Sequence, residues 1–170
     1  CEVVNNTCRS HDGGIVLERS SNCTVRENTA EGCTSYGIFI VNAVNDTVAN
    51  NDCLDNDMAG IRMFGGDNCT ISENTIVGNR EGLVLEECDE NIIVNNTIRD
   101  NDQYAIDLMT CFGNDLYLNI IYDNSGVTSV YNSSNPQAYD NGINLWNTST
   151  QGNMWSDWLS PDDNFDQIVD

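Results

Sequence analysis

A chain of 170 residues is long enough for one domain with a sizeable core, since a domain of that size buries roughly 70% of the surface its unfolded chain exposes. Acidic side chains outnumber basic ones 27 to 6, for a net charge of −21, and the basic residues are all arginines, ending at Arg99. That balance excludes nucleic acid as a partner, because phosphate recognition needs a basic face, and no stretch approaches the ~20 apolar residues of a membrane span.

From its first residues the chain repeats itself. The phrase "NCTVRENTAEGCTSYGIFI" at 22–40 returns as "NCTISENTIVGNREGLVL" at 68–85. Alignment on one asparagine gives Asn6, Asn28, Asn51, Asn74, Asn96 and Asn119, at spacings of 22, 23, 23, 22 and 23. Three positions before each stand Val3, Val25, Val48, Ile71, Ile93 and Leu116; two positions after stand Cys8, Ala30, Cys53, Ile76, Ile98 and Ile121. A glycine or alanine and two alternating aliphatics follow, as in Gly14-Ile15-x-Leu17, Gly37-Ile38-x-Ile40, Gly60-Ile61-x-Met63, Gly82-Leu83-x-Leu85 and Ala105-Ile106-x-Leu108. This alternation predicts short strands with one apolar face and no long helix.

One such unit cannot bury its own apolar face. Stacking units in register does so, one coil per ~4.8 Å, and six coils make a rod roughly 29 Å long. Like residues then form vertical columns. In the asparagine column each carboxamide can bond the next coil's carboxamide while satisfying backbone groups in the bend.

On these columns the chain resembles the right-handed parallel β-helix repeat family, described among carbohydrate-binding proteins and sugar hydrolases. The repeat is also carried by archaeal and bacterial surface proteins and by maturation proteins of nitrous-oxide reductase. The fold class expected is all-β, a right-handed parallel β-helix of about six 22–23-residue coils with an asparagine ladder. The resemblance covers residues 1–122 and resumes at "NGINLWN", 141–147. Residues 123–140 are predicted as an inserted loop or hairpin, 141–158 as a last partial coil closed by Trp146, Trp155 and Trp158, and 159–170 as an acidic tail.

Eight cysteines and the Asn-x-Ser/Thr triplets at Asn5, Asn22, Asn45, Asn68, Asn95, Asn132 and Asn147 favour an extracellular, cell-surface location. Cys1, Cys23 and Cys69 each lie five residues before their asparagine, with Asp46 in the intervening coil. Cys88 and Cys111 share another column in adjacent coils. Neighbours one strand spacing apart fall inside the disulfide window of about 4.4–6.8 Å, so Cys1 with Cys23 and Cys88 with Cys111 are candidate bonds. Cys8 and Cys53, two coils apart, are expected to be buried thiols. Cys33 and Cys69 are left over, expected at loops, and are candidate links between subunits.

Relatives of this fold that cleave sugars use clustered carboxylates, with calcium or a basic Arg or Lys near the scissile bond. Asp55, Asp57, Asp100 and Asp102 could supply such a pair, or be solvated turn residues of "LDND" and "RDND". His11 is the only histidine, there is no lysine, and the Gly-His-Gly and Arg-Ile-Lys signatures of the polygalacturonase relatives are absent. No catalytic residue is expected. A carbohydrate-binding face would need aromatics, and Tyr36, Phe64, Tyr104, Phe112, Tyr117, Tyr122, Tyr131 and Tyr139 are available.

In the tail, "DDNFDQIVD" places Asp162, Asn164, Asp166, the Ile168 carbonyl and Asp170 at alternating positions suited to Ca²⁺, the candidate cation, although Gln167 replaces the usual glycine. The chain begins inside a coil, and a bare β-helix end is a template for pairing. The leading expectation is a non-enzymatic homo-polymer of a sheath, surface layer or filament, stacked end to end and cross-linked by cysteines, in character like methanogen sheath proteins. The alternative is a carbohydrate-binding or polysaccharide-cleaving β-helix with a surface glycan as partner.

Overall fold

The computed structural model describes residues 1–125, 134 and 136–156. Each coil contributes three short strands, and every strand pairs in parallel with its counterpart one coil away. The first sheet runs from Glu2–Val4 to Ile143–Leu145 and the second from Thr7–Arg9 to Met154–Trp155, each with seven strands. The third has six: Ile15–Glu18, Ile38–Val41, Ala59–Phe64, Glu81–Glu86, Ile106–Met109 and Ala138–Asp140. The result is a triangular parallel β-helix. Among the described residues no helix is long and apolar enough to cross a membrane.

The periodic aliphatics form the core as their spacing predicts. Val25, Val48, Ile71, Ile93 and Leu116 line the first sheet from within; Ala30, Cys53, Ile76, Ile98 and Ile121 line the second. Ile38 and Ile40, Ile61 and Met63, Leu83 and Leu85, and Ile106 and Leu108 line the third, all fully buried. Because strand side chains alternate, the residue between each pair faces outward.

Three corners join the sheets, and each carries a ladder. At the first, Asn28, Asn51, Asn74, Asn96 and Asn119 are buried. Asn51 donates from its backbone N and its Nδ2 to Asn74 Oδ1, both at 3.0 Å, and from Nδ2 to Val25 O of the preceding coil. The column runs from Asn6 through Asn119 to Asn153. At the second corner stand Cys33, Asn56, Asn79, Asn101, Asn124 and Gln137, joined the same way. At the third, Cys23 N donates to Asp46 Oδ1 at 2.8 Å, Cys69 N to Asn91 Oδ1, Asn91 to Asn114, and Asn114 to Asn144. Only the first of these ladders is foreseen from the repeat.

Gln137 in the second ladder and Ala138–Asp140 in the third sheet belong to the coil, so the interruption ends before residue 137 rather than at 140. Residues 126–133 and 135 lie outside the described residues. Trp146 and Trp155 meet at the upper end with ring centroids 5.7 Å apart; Trp158 lies outside the described residues.

Except for Gln137, Asn144 and Asn153, each inward corner residue named above follows a residue in the left-handed region, where a non-glycine side chain costs about 1–2 kcal/mol. Asn at Asn5, Asn22, Asn45, Asn50, Asn68 and Asn95 tolerates that geometry. Thr110, β-branched, exposed and at φ 56°, does not. Thr110→Asn is expected to raise the free energy of unfolding by about 1 kcal/mol, measured by denaturant titration. An unchanged or lower stability would show that the Thr110 side chain makes compensating contacts.

Candidate functional site

The outer face of the third sheet is unlike the other two. Its central column reads Val16, Phe39, Arg62, Val84, Asp107 and Tyr139, one residue per coil. Beside it run Glu18, Val41, Phe64, Glu86 and Met109. From the bend before the strands come Tyr36, Glu81 and Tyr104. Strand register alone brings these together, since the sequence positions between Tyr36 and Tyr139 span five coils.

Two aromatic groups bracket a charged centre. Below, Tyr36 and Phe39 touch with centroids 4.9 Å apart, and the Arg62 guanidinium lies 5.5 Å over the Tyr36 ring. Arg62 Nη2 also pairs with Glu86 Oε2 at 2.5 Å, half shielded from solvent. Above, Tyr104 and Tyr139 stack with centroids 5.8 Å apart at 29°. Tyr104 further lines an adjoining cleft of about 340 Å³ with Asp102, Gln103, Ser125, Ser134 and Pro136. From Phe39 to Tyr139 the column spans four strand spacings, about 19 Å.

Asp107 stands within this face. Its place between the core residues Ile106 and Leu108 points it outward, yet it is only 7% exposed. Its Oδ1 is the one buried side-chain N or O atom without a hydrogen-bond partner among the described residues. The carboxyl is pushed up to about 6, first by burial and then by Glu81, with Arg62 opposing and Glu86 adding to the rise. Such a group exchanges a proton near neutrality and can accept a hydrogen bond that no described residue supplies.

The carboxylates singled out in the sequence do not form a site. Asp55 and Asp100 occupy left-handed corner positions, and they and Asp57 and Asp102 are exposed turn residues. Among the described residues, no group of three His, Cys, Asp or Glu side chains is placed to hold a metal. The predicted calcium ligands Asp162, Asn164, Asp166, Ile168 and Asp170 lie outside the described residues. Of the candidate aromatics, Tyr36, Phe64, Tyr104 and Tyr139 share the third-sheet face. Phe112 and Tyr117 belong to the first sheet, and Tyr122, on the second, lies under Arg99.

The cysteines depart from expectation in two ways. Cys33 and Cys69, predicted at loops as links between subunits, are 0% and 1% exposed, since each follows a left-handed corner residue that turns it into the core. All eight cysteines are free thiols. The pair Cys88 and Cys111 does stack in one column, but each Sγ donates to backbone carbonyls, Cys88 to Glu86 O and Met63 O, Cys111 to Met109 O and Leu85 O. Cys1 and Cys23 are adjacent too, with the terminal ammonium 3.3 Å from Cys23 Sγ. Parallel strands project both side chains of such a pair in the same direction, which favours separate bonds to carbonyls over a bond between sulfurs. Cys53 is a buried thiol; Cys8 is half-buried.

Residues 1–160 match the family described as periplasmic copper-binding protein (NosD). The human SHC SH2 domain-binding protein 1 is 28% identical over 105 residues, covering 58% of this chain, which spans only 15% of that relative's length. Among solved structures, the A-module of the Azotobacter vinelandii mannuronan C-5 epimerase AlgE6 superposes with a TM-score of 0.58 at 18% identity, covering 79% of this chain and 38% of that one. A candidate glycosyl hydrolase from Parabacteroides merdae superposes with a TM-score of 0.55 at 15% identity, covering 85% of this chain and 80% of that one. These two share the fold. None of these proteins is described as a sheath, surface-layer or filament protein.

Proposed function

The chain belongs to the NosD family of periplasmic copper-binding proteins, and from that premise we propose that it works outside the cytoplasm as a glycan-binding β-helix, holding an oligosaccharide along the outer face of its third sheet. The observation that carries this reading is the unpartnered Asp107 Oδ1, set between two aromatic groups on an otherwise regular solenoid. Sugar rings stack on tyrosine faces and bring hydroxyl donors to buried acceptors. The coil spacing is close to the length of one ring in a sugar chain, so successive rings can meet successive coils.

Copper, named in the family's description, does not fit the donors present. Cu(I) takes thiolate, thioether and imidazole ligands. His11 is exposed and has no neighbouring histidine. Burial raises the Cys33, Cys53 and Cys69 thiols, and the hydrogen bond with Cys111 followed by burial raises Cys88, so these sulfurs are held as thiols. Cys111 is the exception, lowered by its hydrogen bond with Cys88, but among the described residues no group of three His, Cys, Asp or Glu side chains is placed to hold a metal around it.

We favour binding over cleavage on the aromatic groups that flank Asp107; Glu86 is held by Arg62, but Glu81 stands near Asp107 as a second carboxylate, so product analysis has to separate the two readings. Affinity electrophoresis against a panel of soluble polysaccharides tests it. At least one polysaccharide is expected to retard the protein, with no new reducing ends or unsaturated products. Tyr139→Ala is expected to weaken the interaction up to about tenfold. Retardation unchanged in Tyr139→Ala and Tyr36→Ala would move the site off this face.

A further inference from the structure

We propose that the glycan this face accepts carries free amino groups, with a ring ammonium seated on Asp107 Oδ1 and the sugar ring lying over Tyr104 and Tyr139. The inference rests on the glycan-binding reading and specifies its chemistry.

The argument begins with donors and acceptors. Every carboxylate oxygen on this face accepts, and a ligand must bring the donors. Arg62 is the only guanidinium facing Asp107, and it is engaged by Glu86 and the Tyr36 ring. Asp107 Oδ1 therefore lacks a donor among the described residues, and its burial makes that costly. A neutral sugar hydroxyl could fill the hydrogen bond. It would leave the charge uncompensated.

That charge decides between classes of sugar. Glu81, Glu86 and Asp107 against Arg62 leave two negative charges when all are ionised, within a chain of net charge −21. A uronate chain would bring a fourth carboxylate into this field and be repelled. An ammonium supplies both the missing donor and the missing charge, and a charge-assisted hydrogen bond is about twice as strong as a neutral one. The upward push on the Asp107 carboxyl from Glu81 and Glu86 is the same field seen by a proton; an ammonium would take the proton's place. The stacked tyrosines add attraction for a cation over their faces.

The test uses the whole protein and three trisaccharides: the β-1,4 trimers of glucosamine and of N-acetylglucosamine, and a galacturonate trimer, titrated calorimetrically near pH 7. The glucosamine trimer is expected to bind about tenfold tighter than its acetylated counterpart, and the uronate weakest. In Asp107→Asn the preference for the free amine should fall to about twofold, and added salt should shrink it in the parent protein. Glu81→Gln should reduce it partway, giving a second reading should Asp107→Asn lose its fold. Equal affinity for the acetylated and unacetylated trimers would overturn the amino-group inference and leave glycan binding standing. Binding by none of the three, with a polysaccharide still retarding the protein, would overturn the inference alone; failure of retardation as well would overturn both. Trilysine binding as tightly as the glucosamine trimer would reduce the site to a general cation attractor and overturn the sugar specificity.

Discussion

Asn74→Leu is expected to lower the free energy of unfolding by about 4 kcal/mol, because it removes a buried carboxamide from the middle of the ladder. Asn74 Oδ1 accepts from Asn51 N and Asn51 Nδ2, and Asn74 Nδ2 donates to Val48 O and to Asn96 Oδ1. All of these groups are buried. Leucine, with the same branched skeleton but no polar atoms, orphans the Asn51 N–H outright and strips one partner from each of the other three groups. A buried group left without its partner costs about 1–3 kcal/mol. The loss is larger than for one hydrogen bond because the carboxamide bonds coils on both sides. Asn6→Leu is the control: its carboxamide is exposed and donates to Val4 O and Asn28 Oδ1, so the expected loss is below about 1 kcal/mol. Equal losses in the two variants, measured by denaturant unfolding, would contradict the ladder as a source of stability.

The same asymmetry explains what the sequence made legible. The first ladder is written by one residue type at a near-constant period, so Asn28 through Asn119 can be read off directly. The second and third ladders were not readable, because Cys33 and Gln137 end one of them and Cys23, Asp46 and Cys69 interrupt the other. A period fixes which residues share a column. It does not fix which way a corner residue points: Cys33 and Cys69 look like loop residues until the left-handed residue before each turns them inward.

The site was hidden for a related reason. Asp107 occupies the variable position of Ala105-Ile106-x-Leu108, which alternation marks as outward and solvated. Its signal was present, as an acid in a column otherwise holding Val, Phe, Arg and Tyr. Its burial depends on neighbours that only the folded coil supplies. Tyr139 joins the column from beyond the interrupted stretch, and Glu81 and Glu86 come from the coil below. Chain-order reading offered Asp55, Asp57, Asp100 and Asp102 as a carboxylate pair or as solvated turn residues, and in the structure they are exposed residues of turns.

Asp107→Asn is expected to stabilise the protein by about 3 kcal/mol at pH 7.5 and to leave stability unchanged near pH 3.5. In the unfolded chain this carboxyl titrates near 3.9; in the fold it is pushed up to about 6. Below both values it is protonated in either state and its titration contributes nothing. As pH rises between them, the unfolded state releases its proton first, so the folded state is progressively penalised. Above about 6 the penalty is complete, roughly 3 kcal/mol for a shift of about two units; Asn shares the missing donor with the protonated acid, so that cost cancels and the difference is the titration alone. Most paired carboxylates behave oppositely and lose stability as pH falls. Those other groups are common to both proteins and cancel in the difference. A difference that stays flat from pH 3.5 to 7.5 in thermal or denaturant unfolding would show that Asp107 titrates like an exposed carboxyl. A difference that grows across that window means that the fold retains a group working against its own stability at neutral pH, a trade-off expected where a site is held ready for a ligand. An amino sugar seated on Asp107 should then remove most of that penalty, and the stabilisation it gives should exceed that given to Asp107→Asn.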